Sequence, residues 1–133
     1  MPIRTALILL TCCFIANSYG SETSTEQKIY LVRHAEKQAD AGRDPALTDA
    51  GKLRAQNLAS WLQDKNIEDI WSSDYRRTRL TAKPLVSASG IELKIYNAED
   101  LGTLSERLLG NKETAYVVGH SNTTPELARL LCQ

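Results

Sequence analysis

The chain has 133 residues, of which 42% are hydrophobic and 24% charged, a composition ordinary for a globular domain with one core. Sixteen basic side chains balance sixteen acidic ones, so there is no global field to hold nucleic acid or an anionic membrane. Any electrostatic binding has to be local.

Read from its start, the chain opens with a segment expected to lie outside the fold. Arg4 supplies a positive charge, residues 6–16 form an apolar run, and Ser18 and Gly20 are small residues at the positions a signal peptidase reads. This resembles a secretory signal peptide over residues 1–20, which predicts a mature chain beginning near Ser21 in the periplasm or secreted. The apolar run is shorter than the roughly 20 residues a bilayer-spanning helix needs, so no permanent membrane span is expected. Cys12 and Cys13 leave with that leader and only Cys132 remains, which excludes an intramolecular disulfide. The remaining residues 21–133 suit a single domain that buries roughly two thirds of its unfolded surface without cross-links.

After a polar lead over residues 21–27, Ile29-Tyr30-Leu31-Val32 reads as a buried strand that runs straight into Arg33 and His34. Residues 38–45 carry Gly42, Asp44 and Pro45, a loop composition. Thr48 then suits a helix N-cap with Asp49 in the first turn, and Ala55, Leu58, Ala59 and Leu62 share one helical face. Residues 67–71 read as a second strand closing on Ser72-Ser73-Asp74. A helix beginning at Tyr75 follows, in which helical phase turns Arg77 toward the core and leaves Arg76 and Arg79 in solvent. Pro84 is expected to kink or stop this helix, and Gly90 ends the unit.

Residues 91–96 alternate as a third strand, with Glu99 and Asp100 beyond its carboxyl end. Leu101, Leu104 and Leu108 make the stripe of a further helix ending near Gly110. Residues 114–118 read as a fourth strand with His120 just past it, and residues 125–131 as a last helix with Pro125 in its first turn. Strands alternating with helices predict an α/β fold, a mostly parallel sheet with helices on both faces in a three-layer α/β/α arrangement.

In such a sheet all strand carboxyl ends share one edge, where ligands bind. That edge collects Arg33, His34, Arg77, Glu99, Asp100 and His120. Guanidinium forks match phosphate oxygens, and nearby cations favour the neutral, nucleophilic form of a histidine. The set is a phosphoryl-transfer site in outline. Two histidines and Cys132 show no metal-ligand spacing.

Three ordered segments carry a family resemblance. Leu31-Val32-Arg33-His34-Ala35-Glu36, Ser73-Asp74-Tyr75-Arg76-Arg77-Thr78-Arg79-Leu80-Thr81-Ala82 and Val118-Gly119-His120-Ser121 resemble the signatures of the histidine phosphatase, or phosphoglycerate mutase-like, superfamily, and Leu47-Thr48-x-x-Gly51 matches one of its helix starts. The resemblance implies phosphomonoester hydrolysis on a small phosphorylated substrate, with His34 as phosphoryl-accepting nucleophile and with Arg33, Arg77 and His120 lining the phosphate pocket. It implies no metal and no organic cofactor. Glu99 is the expected general acid, ahead of Asp100. A phosphohistidine phosphatase and a non-catalytic phosphate-binding protein are the alternatives. Family members continue past the helix after the second histidine, so the resemblance also implies that residues 21–133 fall short of the family's usual length.

Overall fold

The structure, a computed structural model, describes residues 26–133. The expected leader over residues 1–20 lies outside the described residues. Along the chain run β1 (Ile29–Arg33), α1 (Asp49–Leu62), β2 (Asp69–Ser73), α2 (Arg76–Ser89), β3 (Leu93–Tyr96), α3 (Leu101–Asn111), β4 (Ala115–Gly119) and α4 (Thr123–Leu131). The strands form one parallel sheet in the order β1-β4-β2-β3.

Side-chain alternation along β4 explains the three layers. Tyr116 and Val118 point to one face, where they pack with Ile70 against Ala59 and Leu62 of α1 and Ala82 and Leu85 of α2. Ala115 and Val117 point to the other, where they meet Trp71, Leu104 and Leu108 of α3, and Leu127 of α4. The chain therefore has the expected α/β/α architecture. Every residue of β4 and β2 is buried, as central parallel strands require when helices cover both faces.

Three local expectations are corrected. The run ending in Arg33 was expected to be a buried strand, but β1 lies at the sheet edge and pairs only with β4, so its side chains are half-buried or exposed. Pro84 does not stop α2, which continues to Ser89 and closes on Gly90 at a positive φ of 73°. A proline inside a helix costs about 3 kcal/mol, and burial of Ala82 and Leu85 on either side of Pro84 offsets it. The last helix begins at Thr123 rather than Pro125, because the Thr123 hydroxyl accepts from the His120 amide and starts the turn earlier.

The start of α1 shows why its sequence matters to the site. Thr48 is the N-cap, with its hydroxyl oxygen accepting from the Gly51 amide at 3.0 Å. Its own amide donates to the Glu36 carbonyl at 2.8 Å. A Cβ on Gly51 would stand 2.3 Å from that same carbonyl oxygen, so only glycine lets this first turn press against the chain leaving His34. Among the described residues, no helix is long and apolar enough to cross a membrane.

Candidate active site

Strand register brings the two histidines together. Arg33 of β1 lies opposite Gly119 of β4, and the ladder extends one step further as the His34 amide donates to the Gly119 carbonyl at 2.9 Å. His34 and His120 therefore leave adjacent strands side by side, with ring centroids 5.6 Å apart. Gly119 is required here, since a Cβ would come within 2.8 Å of the Thr123 and Tyr96 side-chain oxygens. Both imidazoles are largely buried, at 7% and 8% exposure.

Each ring is held in one tautomer by what surrounds it. His34 Nδ1 lies 2.8 Å from the Ala35 carbonyl oxygen, which can only accept. Nδ1 thus carries the hydrogen, and the Nε2 lone pair is free. For His120, Arg77 Nη2 stands 3.5 Å from Nδ1 and can only donate. The hydrogen is then on Nε2, which donates to Ser73 Oγ at 2.8 Å. Ser73 in turn donates to Thr78 Oγ1 at 3.0 Å, and Thr78 donates to the Ser73 and Tyr75 carbonyls. A directed chain of donors runs from Arg77 through His120 to the first turn of α2.

Helix α2 carries the second arginine into the site. Arg77 has only 16% of its side chain exposed, whereas Arg76 is exposed and Arg79 pairs with Asp74 in solvent. The Thr81 hydroxyl fixes the helix to the first motif: it donates to the Arg77 carbonyl at 2.8 Å and accepts from the Ala35 amide at 2.9 Å. Asp44, from the loop before α1, accepts from the Arg76 amide at 2.8 Å and sits 3.8 Å from Arg77 Nη1. Arg54 steadies the other side by donating to the His34 carbonyl at 3.1 Å and pairing with Glu36.

Arg33, His34, Lys37, Arg77, Glu99 and His120, among others, line a cavity of about 450 Å³. All five residues expected at the site are in it. The two candidate carboxylates separate. Asp100 is the N-cap of α3, its oxygens accepting from the Thr103 amide at 3.2 Å and hydroxyl at 2.8 Å, and those bonds hold its carboxyl below the ordinary range. Glu99 alone of the two borders the cavity.

Sequence reasoning does not single out Ser73, Thr81, Thr123, Lys37, Tyr75 or Asp44. Ser73 and Thr81 stand inside the family motifs, but their partners are distant in the chain. Lys37 follows His34 by three positions, and that closeness to the first motif is the one signal that could have found it. Among the described residues, no group of three His, Cys, Asp or Glu side chains is placed to hold a metal ion.

Burial and cations keep both imidazoles neutral. His34 is lowered from its ordinary value first by burial and then by Arg77, Arg33 and Lys37, against the opposing bond to Ala35. His120 is lowered to about 4 by burial, then by Arg77, His34 and Arg33. Between about pH 6.5 and pH 4 the unfolded chain therefore binds more protons than the folded one, so stability is fully present above that window and falls as pH drops through it. Urea midpoints measured across the window are expected to decline toward acid in the wild type and to flatten in His120→Gln. A slope unchanged by that substitution contradicts the burial of a neutral His120.

A family model described as the histidine phosphatase superfamily (branch 1) matches residues 29–124. The 6-phosphofructo-2-kinase/fructose-2,6-bisphosphatase 4 of Rattus norvegicus is 35% identical over 88 residues, which are 62% of this chain and 19% of that protein. Phosphoserine phosphatase 1 of Hydrogenobacter thermophilus is 39% identical over 72 residues, 50% of this chain and 34% of that protein. The chain thus spans about a fifth to a third of the length of these curated relatives. Among solved structures, the protein histidine phosphatase SixA complexed with tungstate superposes with a TM-score of 0.67 at 22% identity, covering 75% of this chain and 73% of that one. That likeness is one of fold.

Proposed function

Because the chain belongs to the histidine phosphatase superfamily, we propose that it hydrolyses phosphomonoesters through a phosphohistidine formed on His34. The observation that carries this reading is the His34 tautomer: Nδ1–H is tied to the Ala35 carbonyl, and burial with three neighbouring cations keeps the ring unprotonated. A nucleophile needs a free lone pair, and Nε2 has one in the cavity it shares with Arg33 and Arg77.

In the first step Nε2 attacks phosphorus as the bond to the leaving oxygen breaks, and Glu99 delivers a proton to that oxygen. Arg33 and Arg77 stabilise charge spread over the three equatorial oxygens. In the second step the Glu99 carboxylate takes a proton from water as it attacks the phosphohistidine, releasing inorganic phosphate and restoring His34. No step calls on a metal.

The test is a turnover panel in the presence of chelator, spanning sugar phosphates, nucleotides and a phosphohistidine peptide, with inorganic phosphate as readout. Catalytic release on at least one substrate is expected. Tight binding of phosphate with no release from any of them would identify a non-catalytic binding protein instead. The SixA likeness supports including phosphohistidine in the panel.

Glu99 has its own signature. A general acid contributes about 10²- to 10⁴-fold where the leaving oxygen is basic, and little where it is an aryl oxide. Glu99→Gln is therefore expected to slow a sugar phosphate far more than an aryl phosphate, while Asp100→Ala lowers stability through the lost cap and leaves the ratio of the two rates unchanged. Equal losses on both substrates in Glu99→Gln would remove it from the role.

An extracytoplasmic substrate belongs to the same proposal. It is supported by Arg4, the apolar residues 6–16 and the small residues at Ser18 and Gly20. Mass spectrometry of protein recovered from its native host is expected to give an amino terminus near Ser21, and intact Met1 on cytoplasmic protein would overturn it.

A further inference from the structure

Tyr75 is among the cavity residues that the two chemical steps on His34 do not use. It borders the cavity with 39% of its surface exposed. The rest of the lining is imidazole, charge, hydroxyl, amide or the single methyl of Ala98. Whatever apolar contact a leaving group makes inside this cavity, Tyr75 makes most of it.

The ring is exposed yet held. The Tyr75 amide donates to the Ser73 carbonyl at 2.9 Å, and its carbonyl accepts from the Arg79 amide at 3.0 Å and the Thr78 hydroxyl at 2.9 Å. Arg77 Cζ lies 4.5 Å from the ring centroid, and His120 meets the ring edge-to-face at 4.9 Å and 81°. A tyrosine serving only the core would be buried, and one serving only solubility would not be clamped between two groups of the phosphate site. The ring is set in place before any ligand arrives, so contact with it costs little conformational entropy.

We propose that Tyr75 is a specificity-determining residue that packs against a planar aromatic leaving group, so that the site favours phosphoryl groups carried on an aromatic ring, through oxygen or through nitrogen. This rests on the phosphatase reading of the site. Attack by His34 is in line, which directs the leaving group away from Nε2, and within the cavity it enters, Tyr75 is the one aromatic side chain besides the two imidazoles. Aromatic pairs gain from offset or edge-to-face packing beyond the area they bury, and that gain corresponds to about 2- to 10-fold in affinity.

The experiment uses phenylphosphonate and cyclohexylphosphonate, which match in ring size, differ in planarity, cannot be hydrolysed and are compared at a pH above both second ionisations, where both are dianions. Their dissociation constants are measured by calorimetry together with that of inorganic phosphate. Wild type is expected to bind phenylphosphonate about 2- to 10-fold more tightly than cyclohexylphosphonate. Tyr75→Phe keeps that ratio, and Tyr75→Leu and Tyr75→Met bring it to about one. The ratio cancels any displacement of Arg77 that these substitutions cause. Equal binding of the two phosphonates by the wild type, or a preference that survives in Tyr75→Leu or Tyr75→Met, overturns the role of Tyr75 while phosphate binding leaves the site itself standing. Failure of inorganic phosphate and both phosphonates to bind overturns the phosphatase reading and this inference with it.

Discussion

His34→Ala is expected to abolish phosphoryl transfer, with turnover falling on the order of 10⁴- to 10⁶-fold, as when a covalent nucleophile is removed from an otherwise intact site. The substitution takes away the only lone pair placed for attack, since His120 Nδ1 accepts from Arg77 and its Nε2 donates to Ser73. Two readouts have to move together. Wild type incubated with a ³²P-labelled substrate and quenched in alkaline detergent should carry a base-stable, acid-labile label on one imidazole, and the variant should carry none. The backbone contacts around His34 are made by its amide and carbonyl, so the variant should still fold and still bind inorganic phosphate. Turnover that persists at wild-type rate, or a label that appears elsewhere, ends the assignment of His34.

Arg77→Ala is the second large effect, expected at about 10²- to 10³-fold in kcat/KM, the magnitude for removing a positioned charged donor from developing oxyanion charge. Arg77→Lys should recover part of it, because a lysine restores the charge but not the planar fork. The same substitution has an electrostatic signature that loss of contact alone does not predict. Arg77 lowers both imidazoles, so its removal should raise both in an NMR titration of the ring carbons. Arg76→Ala and Arg79→Ala are expected to change kcat/KM by no more than about 3-fold, as solvent-exposed charges do. A large loss at Arg76 with a small one at Arg77 would contradict the orientation of α2.

Part of this site is legible in the sequence because its residues sit at strand ends and helix starts, whose positions local pattern reveals. Four apolar residues followed by Arg33-His34, and Tyr116-Val117-Val118-Gly119 followed by His120, mark strand ends through β-branched content and the sudden change in polarity. Helical phase alone puts Arg77 on the inward face and Arg76 and Arg79 outside, where the structure has them. Ser73 belongs to the second family motif, yet its contact with His120 spans 47 residues of chain. No local rule reaches that far. Asp44 reads as loop composition, and its grip on the first turn of α2 depends on where the loop lands.

What the sequence by itself determined is the set of elements and the edge on which the chemistry collects. Alternating strands and helices require a parallel sheet, and a parallel sheet sends every strand's carboxyl end to the same side. What only the tertiary structure decided is which strands are neighbours. All four strands are apolar enough to pair with one another, and backbone hydrogen bonds do not distinguish sequences, so strand order is chosen by how helix faces and side-chain volumes pack across the whole core. The insertion of β4 between β1 and β2 has three consequences. It makes β1 an edge strand, sets Arg33 opposite Gly119 so that the two histidines meet, and brings Ser73 at the end of β2 within reach of His120. The cavity with its neutral imidazoles follows from that one choice of neighbour, because burial and the approach of Arg77 arise only once β4 and α2 are packed together.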